Sequence, residues 1–250
     1  MRGDVVLWMS HLGGSAEQTL PMLQRFAAAG HPAVSFDPVL HGGRGSGDPW
    51  EFASSVIAEF RRGMWPILGQ TTLEAMRVLT WAQQHADRHG QALAGGVSMG
   101  GDVAVALAGI DDRIGRVAAV GSTPDWSRPD MRELADPTRL IDQGQPDRYA
   151  QWFADQLDPT RHLERYRRDL AITFELGEHD HHVPAENARA FRQALSETHP
   201  PAAVEIRVQI HPGLDHLGVT SGNAPLTAAT DWLLNDETVP DDPRWKSTRG

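Results

Sequence analysis

Apolar positions along this chain fall into two kinds of run that alternate. Short, nearly continuous stretches of Val, Ile, Leu, Ala and Phe occur at 5–9, 33–36, 92–97, 117–120, 170–176 and 204–210. Runs of this length without polar alternation predict strands covered on both faces. Between them the apolar residues recur at helical spacing: Leu20, Leu23 and Phe26; Leu73, Met76 and Leu79; Ala188, Phe191 and Leu195; Leu226, Ala229 and Leu233. Each set marks one face of an amphipathic helix, the first ending near Gly30. Strands that alternate with helices predict an α/β protein built on a mostly parallel sheet of about six strands, with helices on both faces.

Two connections are too long for simple crossovers, residues 38–70 and 122–169. The second carries Pro124, Pro129, Pro137, Pro146 and Pro159 together with Trp126, Tyr149, Trp152, Phe153 and Tyr166. Connections of this length usually border a binding site, so a helical, lid-like insertion is expected over about 122–169. The expected organisation is one domain over 1–235, followed by a flexible polar tail over 236–250.

Composition narrows the class. With 40% hydrophobic and 22% charged residues the chain reads as an ordinary globular protein. It has no apolar run near the length of a membrane span and no signal-peptide pattern at its start, so a cytoplasmic location is expected. A formal charge of −10 argues against nucleic acid or an anionic membrane as partner, because both require clustered cations. Basic residues cluster only between Arg161 and Arg168, where Glu164 and the flanking Asp158 and Asp169 predict a solvated helix face. The absence of cysteine excludes disulfides, thiolate metal sites and a cysteine nucleophile.

The chemistry is concentrated at Gly96-Val97-Ser98-Met99-Gly100. A Gly-x-Ser-x-Gly run between a short strand and a small-residue helix holds serine on a sharp, strained turn that projects its hydroxyl toward substrate. Such a hydroxyl needs a base, and the base needs an orienting acid; in this fold the chain order is Ser, then Asp or Glu, then His. Asp180 follows the 170–176 strand and is the expected acid, with Glu178 of the same loop as its rival. His216 follows the 204–210 strand through His211-Pro212-Gly213-Leu214-Asp215 and is the expected base, with His211 as competitor. Two amides should face the developing oxyanion. Met99 supplies one, and the loop after the first strand supplies the other through Gly13, or failing that Leu12. The run His179, Asp180, His181 and His182 has ligand chemistry, but consecutive loop residues rarely converge on one ion, so no metal is expected and the other histidines read as polar residues at the entrance.

With His11-Leu12-Gly13-Gly14, Asp37 through His41-Gly42, the serine turn, the Asp180 loop with Val183-Pro184, and His216 assembled, the chain resembles the α/β-hydrolase superfamily. The likeness is strongest to the dienelactone-hydrolase and prolyl-oligopeptidase-like branch of small bacterial esterases, and it runs from about Val5 to Leu234. It implies Ser98 as nucleophile, His216 as base and acid, Asp180 as orienting acid, and no cofactor. Dienelactone hydrolases use a cysteine nucleophile, so their activity is not implied. Leu12 stands where relatives carry a glycine, which leaves open the amide that faces the oxyanion. The first strand also begins near Val5, without the usual preceding strand pair, so an exposed sheet edge and a homodimer are expected. The implied activity is a serine hydrolase of carboxylesterase type acting on a small or medium ester. Thioesters, lactones, lyase or cyclase chemistry, and an inert binding module are the alternatives.

Overall fold

The computed structural model describes residues 3–198 and 204–234; the expected tail at 236–250 lies outside them. In chain order the elements are β1 (Val5–Met9), α1 (Leu20–Ala28), β2 (Ala33–Val34), α2 (Pro49–Ala58), α3 (Phe60–Ala86), β3 (Ala92–Val97), α4 (Met99–Ile110) and β4 (Ile114–Val120). They are followed by α5 (Arg148–Leu157), β5 (Leu170–Gly177), α6 (Ala185–Thr198), β6 (Val204–His211), α7 (His216–Ser221) and α8 (Asn223–Leu233). The six strands form one parallel sheet in the order β2-β1-β3-β4-β5-β6. The chain thus winds outward in both directions from β1 and β3, and the serine turn follows β3.

Alternation along each strand sorts the core into two layers. Val5, Leu7 and Met9 of β1 join Phe60, Leu68 and Leu79 of α3, the buried face of α4, and Phe191 of α6. Val6 and Trp8 of the same strand join Met22 and Phe26 of α1 and Ala229, Trp232 and Leu233 of α8. Both faces of the sheet are therefore dry, which is why the central strands carry no polar alternation.

The sequence pattern locates the strands well and two helix faces poorly. Leu20 and Leu73 are 49% and 40% exposed; the buried stripes are Met22 and Phe26 on α1, and Leu68, Ala75, Leu79 and Ala82 on α3. Periodicity alone does not say which neighbouring stripe meets the sheet. Residues 38–70 also hold more helix than loop. They contain α2 and the first part of α3, which runs through Pro66. Proline inside a helix costs about 3 kcal/mol, and here Met64, Trp65, Ile67 and Leu68 on either side are buried against the core, which offsets that cost.

Between β4 and β5 the chain forms an irregular stretch, α5 and two short 3-10 turns. Trp126, Phe153 and Tyr166 are buried and anchor it: the Tyr166 hydroxyl donates to the Val105 carbonyl at 2.9 Å, and the Trp65 indole donates to the Trp126 carbonyl at 2.8 Å. Tyr149 and Trp152 remain about half exposed. The basic run at its end is not a helix face. Arg161 pairs with Asp155 at 2.7 Å, and Arg168 donates to the Ala108 and Ile114 carbonyls, both at 2.7 Å.

Candidate active site

Ser98 sits between the end of β3 and the start of α4 with φ 50° and ψ −118°, a conformation that L-residues with a side chain rarely adopt. Several bonds hold it there. Its amide donates to the Val120 carbonyl at 2.8 Å, and its carbonyl accepts from Gly101 N at 2.9 Å, Asp102 N at 3.1 Å and the Ser122 hydroxyl at 2.8 Å. A Cβ at Gly100 would collide with the Met9 carbonyl of β1, so the turn is possible only with glycine there. Met99 is the first residue of α4, which puts its amide among the unpaired donors at a helix start.

Asp180 and His216 come from loops that are bonded to each other. Glu178 N donates to the His211 carbonyl at 3.0 Å, and His179 N donates to the Leu214 carbonyl at 2.9 Å. Within this pair of loops one Asp180 oxygen accepts the amides of His182 and Val183, at 3.0 and 2.8 Å, and the other lies 2.8 Å from His216 Nδ1. His216 Nε2 lies 3.2 Å from the Ser98 hydroxyl oxygen. All three residues are buried, each exposed by 8% or less. Ser98, His216 and Asp180 are therefore brought together in hydrogen-bonding order.

The competing residues are engaged elsewhere. Glu178 is exposed and accepts the Gly213 amide at 3.0 Å. His211 Nε2 lies 2.7 Å from a buried Glu175 oxygen, in a cluster that also holds Arg207.

At the first-strand loop, Gly14 N donates to the His11 carbonyl at 2.9 Å. Gly13 has φ +78°, and a Cβ there would lie 2.9 Å from the Pro49 carbonyl, so this position requires glycine on both counts. The Gly14 amide is thus occupied, and Leu12 and Gly13 are left as the loop's amides for an oxyanion.

Three features of the site escaped the sequence reading. His182 is not a residue of the entrance. His179 and His181 are exposed, but His182 is buried, its ring lies 5.0 Å from that of His216, and its Nδ1 faces the Arg132 carbonyl at 3.0 Å. Burial, with His216 and Arg128 nearby, lowers its pKa to about 3, so His182 is a neutral imidazole packed against the candidate base. Its identity as histidine gave no sign of this, because the neighbouring histidines point to solvent.

Asp102 is the second feature. It lies in the first turn of α4, fully buried, where one oxygen accepts Thr123 N at 2.7 Å and the other pairs with the buried Arg128 guanidinium. Burial raises the Asp102 pKa while Arg128 opposes that shift. The pair ties the helix that carries the serine to the segment after β4. Nothing in the sequence joins residues so far apart. Removing one partner strands a buried charge, so Arg128→Met is expected to destabilise the fold by about 3–5 kcal/mol in urea unfolding. Adding Asp102→Asn, which keeps an acceptor for Thr123, should restore most of that loss; an unchanged midpoint in the single variant would refute the role.

Ser122, the third feature, also bonds the Val120 carbonyl at 2.9 Å. It fastens the serine turn from the neighbouring strand.

Among the described residues no group of three or more His, Asp or Glu side chains is placed to hold a metal ion. No described helix is long and apolar enough to cross a membrane.

Comparison with known proteins agrees with this fold. Solved structures with the same fold include TT1662 from Thermus thermophilus, at a TM-score of 0.65 and 22% identity over 91% of this chain and 89% of that one. The Pyrococcus furiosus esterase Pf2001 superposes at 0.60 with 15% identity, covering 93% of this chain and 83% of its own. A puromycin-hydrolyzing peptidase from Mycobacterium tuberculosis superposes at 0.63 with 15% identity over 96% of this chain, which corresponds to 36% of that larger protein. At these identities the likeness is one of fold. No curated protein sequence matches. Residues 58–236, well over half the chain, match the prolyl oligopeptidase family, and that stretch spans Ser98, Asp180 and His216. The chain is therefore an α/β-hydrolase-fold serine hydrolase that belongs to the prolyl oligopeptidase family.

Proposed function

We propose that this protein hydrolyses a small or medium carboxylic ester through an acyl-enzyme on Ser98. The observation that carries the reading is the continuous chain from the Ser98 hydroxyl to His216 Nε2 at 3.2 Å and from His216 Nδ1 to Asp180 at 2.8 Å. His216 takes the Ser98 proton as the oxygen attacks the carbonyl carbon, and Asp180 stabilises the imidazolium that forms. The carbonyl oxygen becomes an oxyanion held by the amides of Met99 and Gly13. Collapse of the tetrahedral intermediate breaks the bond to the alcohol, which leaves with the proton from His216. Water then attacks the acyl-enzyme, His216 again taking its proton and returning it to Ser98, and the free acid departs. Every step uses protein groups and water.

The test is intact-mass spectrometry after a fluorophosphonate probe, followed by a panel of p-nitrophenyl esters of graded acyl length. One phosphonyl adduct per chain, with turnover of at least one ester, supports the reading; a folded protein that takes no label and cleaves no ester overturns it. The family match favours a second reading, hydrolysis of an amide or peptide bond by the same residues. Parallel p-nitroanilides separate the two, because an esterase releases nitrophenol from its best acyl group far faster than nitroaniline.

A further inference from the structure

His182 is attached to its surroundings in three ways. Its amide donates to an Asp180 carboxylate oxygen at 3.0 Å, its Nδ1 faces the Arg132 carbonyl at 3.0 Å, and its ring meets that of His216 at 5.0 Å between centroids with a tilt of 57°. A carbonyl opposite Nδ1 requires the proton on that nitrogen, so the ring is pinned to Arg132 by a donated hydrogen bond. Burial keeps this imidazole neutral, and it therefore sets no like charge beside the imidazolium that forms on His216.

Arg132 is itself a fixed point. Its amide donates to the His181 carbonyl at 2.9 Å, which together with the His182 bond clasps it to the acid loop. Met131 before it is buried in the core, and Arg128 pairs with Asp102 in the first turn of α4. The Arg128 carbonyl accepts from the Gln143 side chain at 2.8 Å. Residues 128–132 thus form a short bridge that starts on the helix following Ser98 and ends on the loop that carries Asp180. His182 extends this bridge to the ring of the base.

We propose that His182 is a positioning residue for the base: it relays the fixed 128–132 bridge to the His216 ring and so sets the reach of Nε2 to the Ser98 hydroxyl. The proposal rests on the serine-hydrolase reading above and adds a residue outside the three that react. The bond from Asp180 fixes one corner of the His216 ring. A second ring, tethered to the bridge and packed against the first, fixes its tilt.

The test measures kcat and KM on the best p-nitrophenyl ester, and the rate of fluorophosphonate labelling, for wild type, His182→Phe and His182→Asn, each first shown to be folded by near-UV circular dichroism. Phenylalanine keeps a ring against His216 and loses the bond to Arg132; asparagine keeps a donor toward Arg132 and loses the ring. His182→Phe should lower kcat about tenfold, the equivalent of one hydrogen bond. His182→Asn should lower it on the order of 10²-fold, as a misplaced reacting group does. Labelling should slow in parallel, and KM should stay at its wild-type value because acylation and deacylation both depend on His216. Wild-type kcat and labelling in a folded variant would overturn the proposal. A raised KM at unchanged kcat would overturn it too, by making His182 a contact for substrate. If one variant does not fold, the other decides. Failure of the serine-hydrolase reading would appear differently, as wild type that neither takes label nor turns over any ester. In that event exchange of the His216 Nδ1 proton with solvent, followed by NMR, decides. Faster exchange in His182→Phe than in wild type supports the positioning role, and equal exchange overturns it.

Discussion

Ser98→Ala is expected to lower kcat/KM on the preferred ester by on the order of 10⁶-fold and to abolish fluorophosphonate labelling, with little change in melting temperature. The physical basis is local. The hydroxyl makes its hydrogen bond to His216, whereas the strained turn is held by backbone groups and Ser122. Alanine keeps the Cβ and all of those bonds, so the fold should survive while the attacking oxygen is lost. Residual rate above water would come from substrate binding and the oxyanion amides. Labelling that persists at another residue in the alanine variant would mean that the nucleophile has been misassigned.

The second large effect is expected from Asp180→Asn, at about 10⁴-fold in kcat. Asp180 divides its two oxygens between different tasks: one holds the His182 and Val183 amides and the other faces His216 Nδ1. Asparagine will keep its carbonyl toward the two amides, because only oxygen can accept from them. Its NH₂ is then turned toward Nδ1. The imidazole must present a lone pair there and carry its proton on Nε2, pointing at the serine it should deprotonate. The variant is thus predicted to fold well and to hold the wrong tautomer. Glu178→Gln is the contrast, since Glu178 lies on the surface and bonds the Gly213 amide; its activity should match wild type. If Glu178→Gln were the damaging change and Asp180→Asn the silent one, the acid would be Glu178.

Residues whose environment is set by their immediate neighbours in the chain were legible from the sequence. The runs that form β1 and β3 were read to the residue because both faces of those strands are buried, and the serine turn carries its own glycines. Asp180 and His216 could be named because the parallel sheet delivers the end of each strand to one edge and the serine turn implies an acid and then a histidine further along the chain. What stayed hidden depends on partners distant in sequence. Leu73 fits a helical stripe as well as Ala75 does, and only the packing of α3 on the sheet chooses between them. Gly63, Pro66 and Gly69 look like loop residues. Yet Gly69 lies under the Phe153 ring of α5, so close that a Cβ would collide with it, and the small residue is there for helix packing. Arg128 has no local signature, because its meaning is a carboxylate on another element.

The hydrogen bonds between the Asp180 and His216 loops divide the site mechanically. The proposed acid and base follow β5 and β6, whose ends are stitched together, whereas the proposed nucleophile follows β3 and is clamped to β4. The β4–β5 pairing holds both pairs in one sheet, but the three side chains themselves meet across a single joint, from the Ser98 hydroxyl to His216 Nε2, which at 3.2 Å is longer than the 2.8 Å between His216 and Asp180. Thermal motion or mild denaturant will stretch that joint before it disturbs the bond from His216 to Asp180. Loss of serine reactivity should then precede any loss of the His216–Asp180 hydrogen bond or of global structure, so inactivation of this enzyme begins as a misalignment of the serine within an intact sheet.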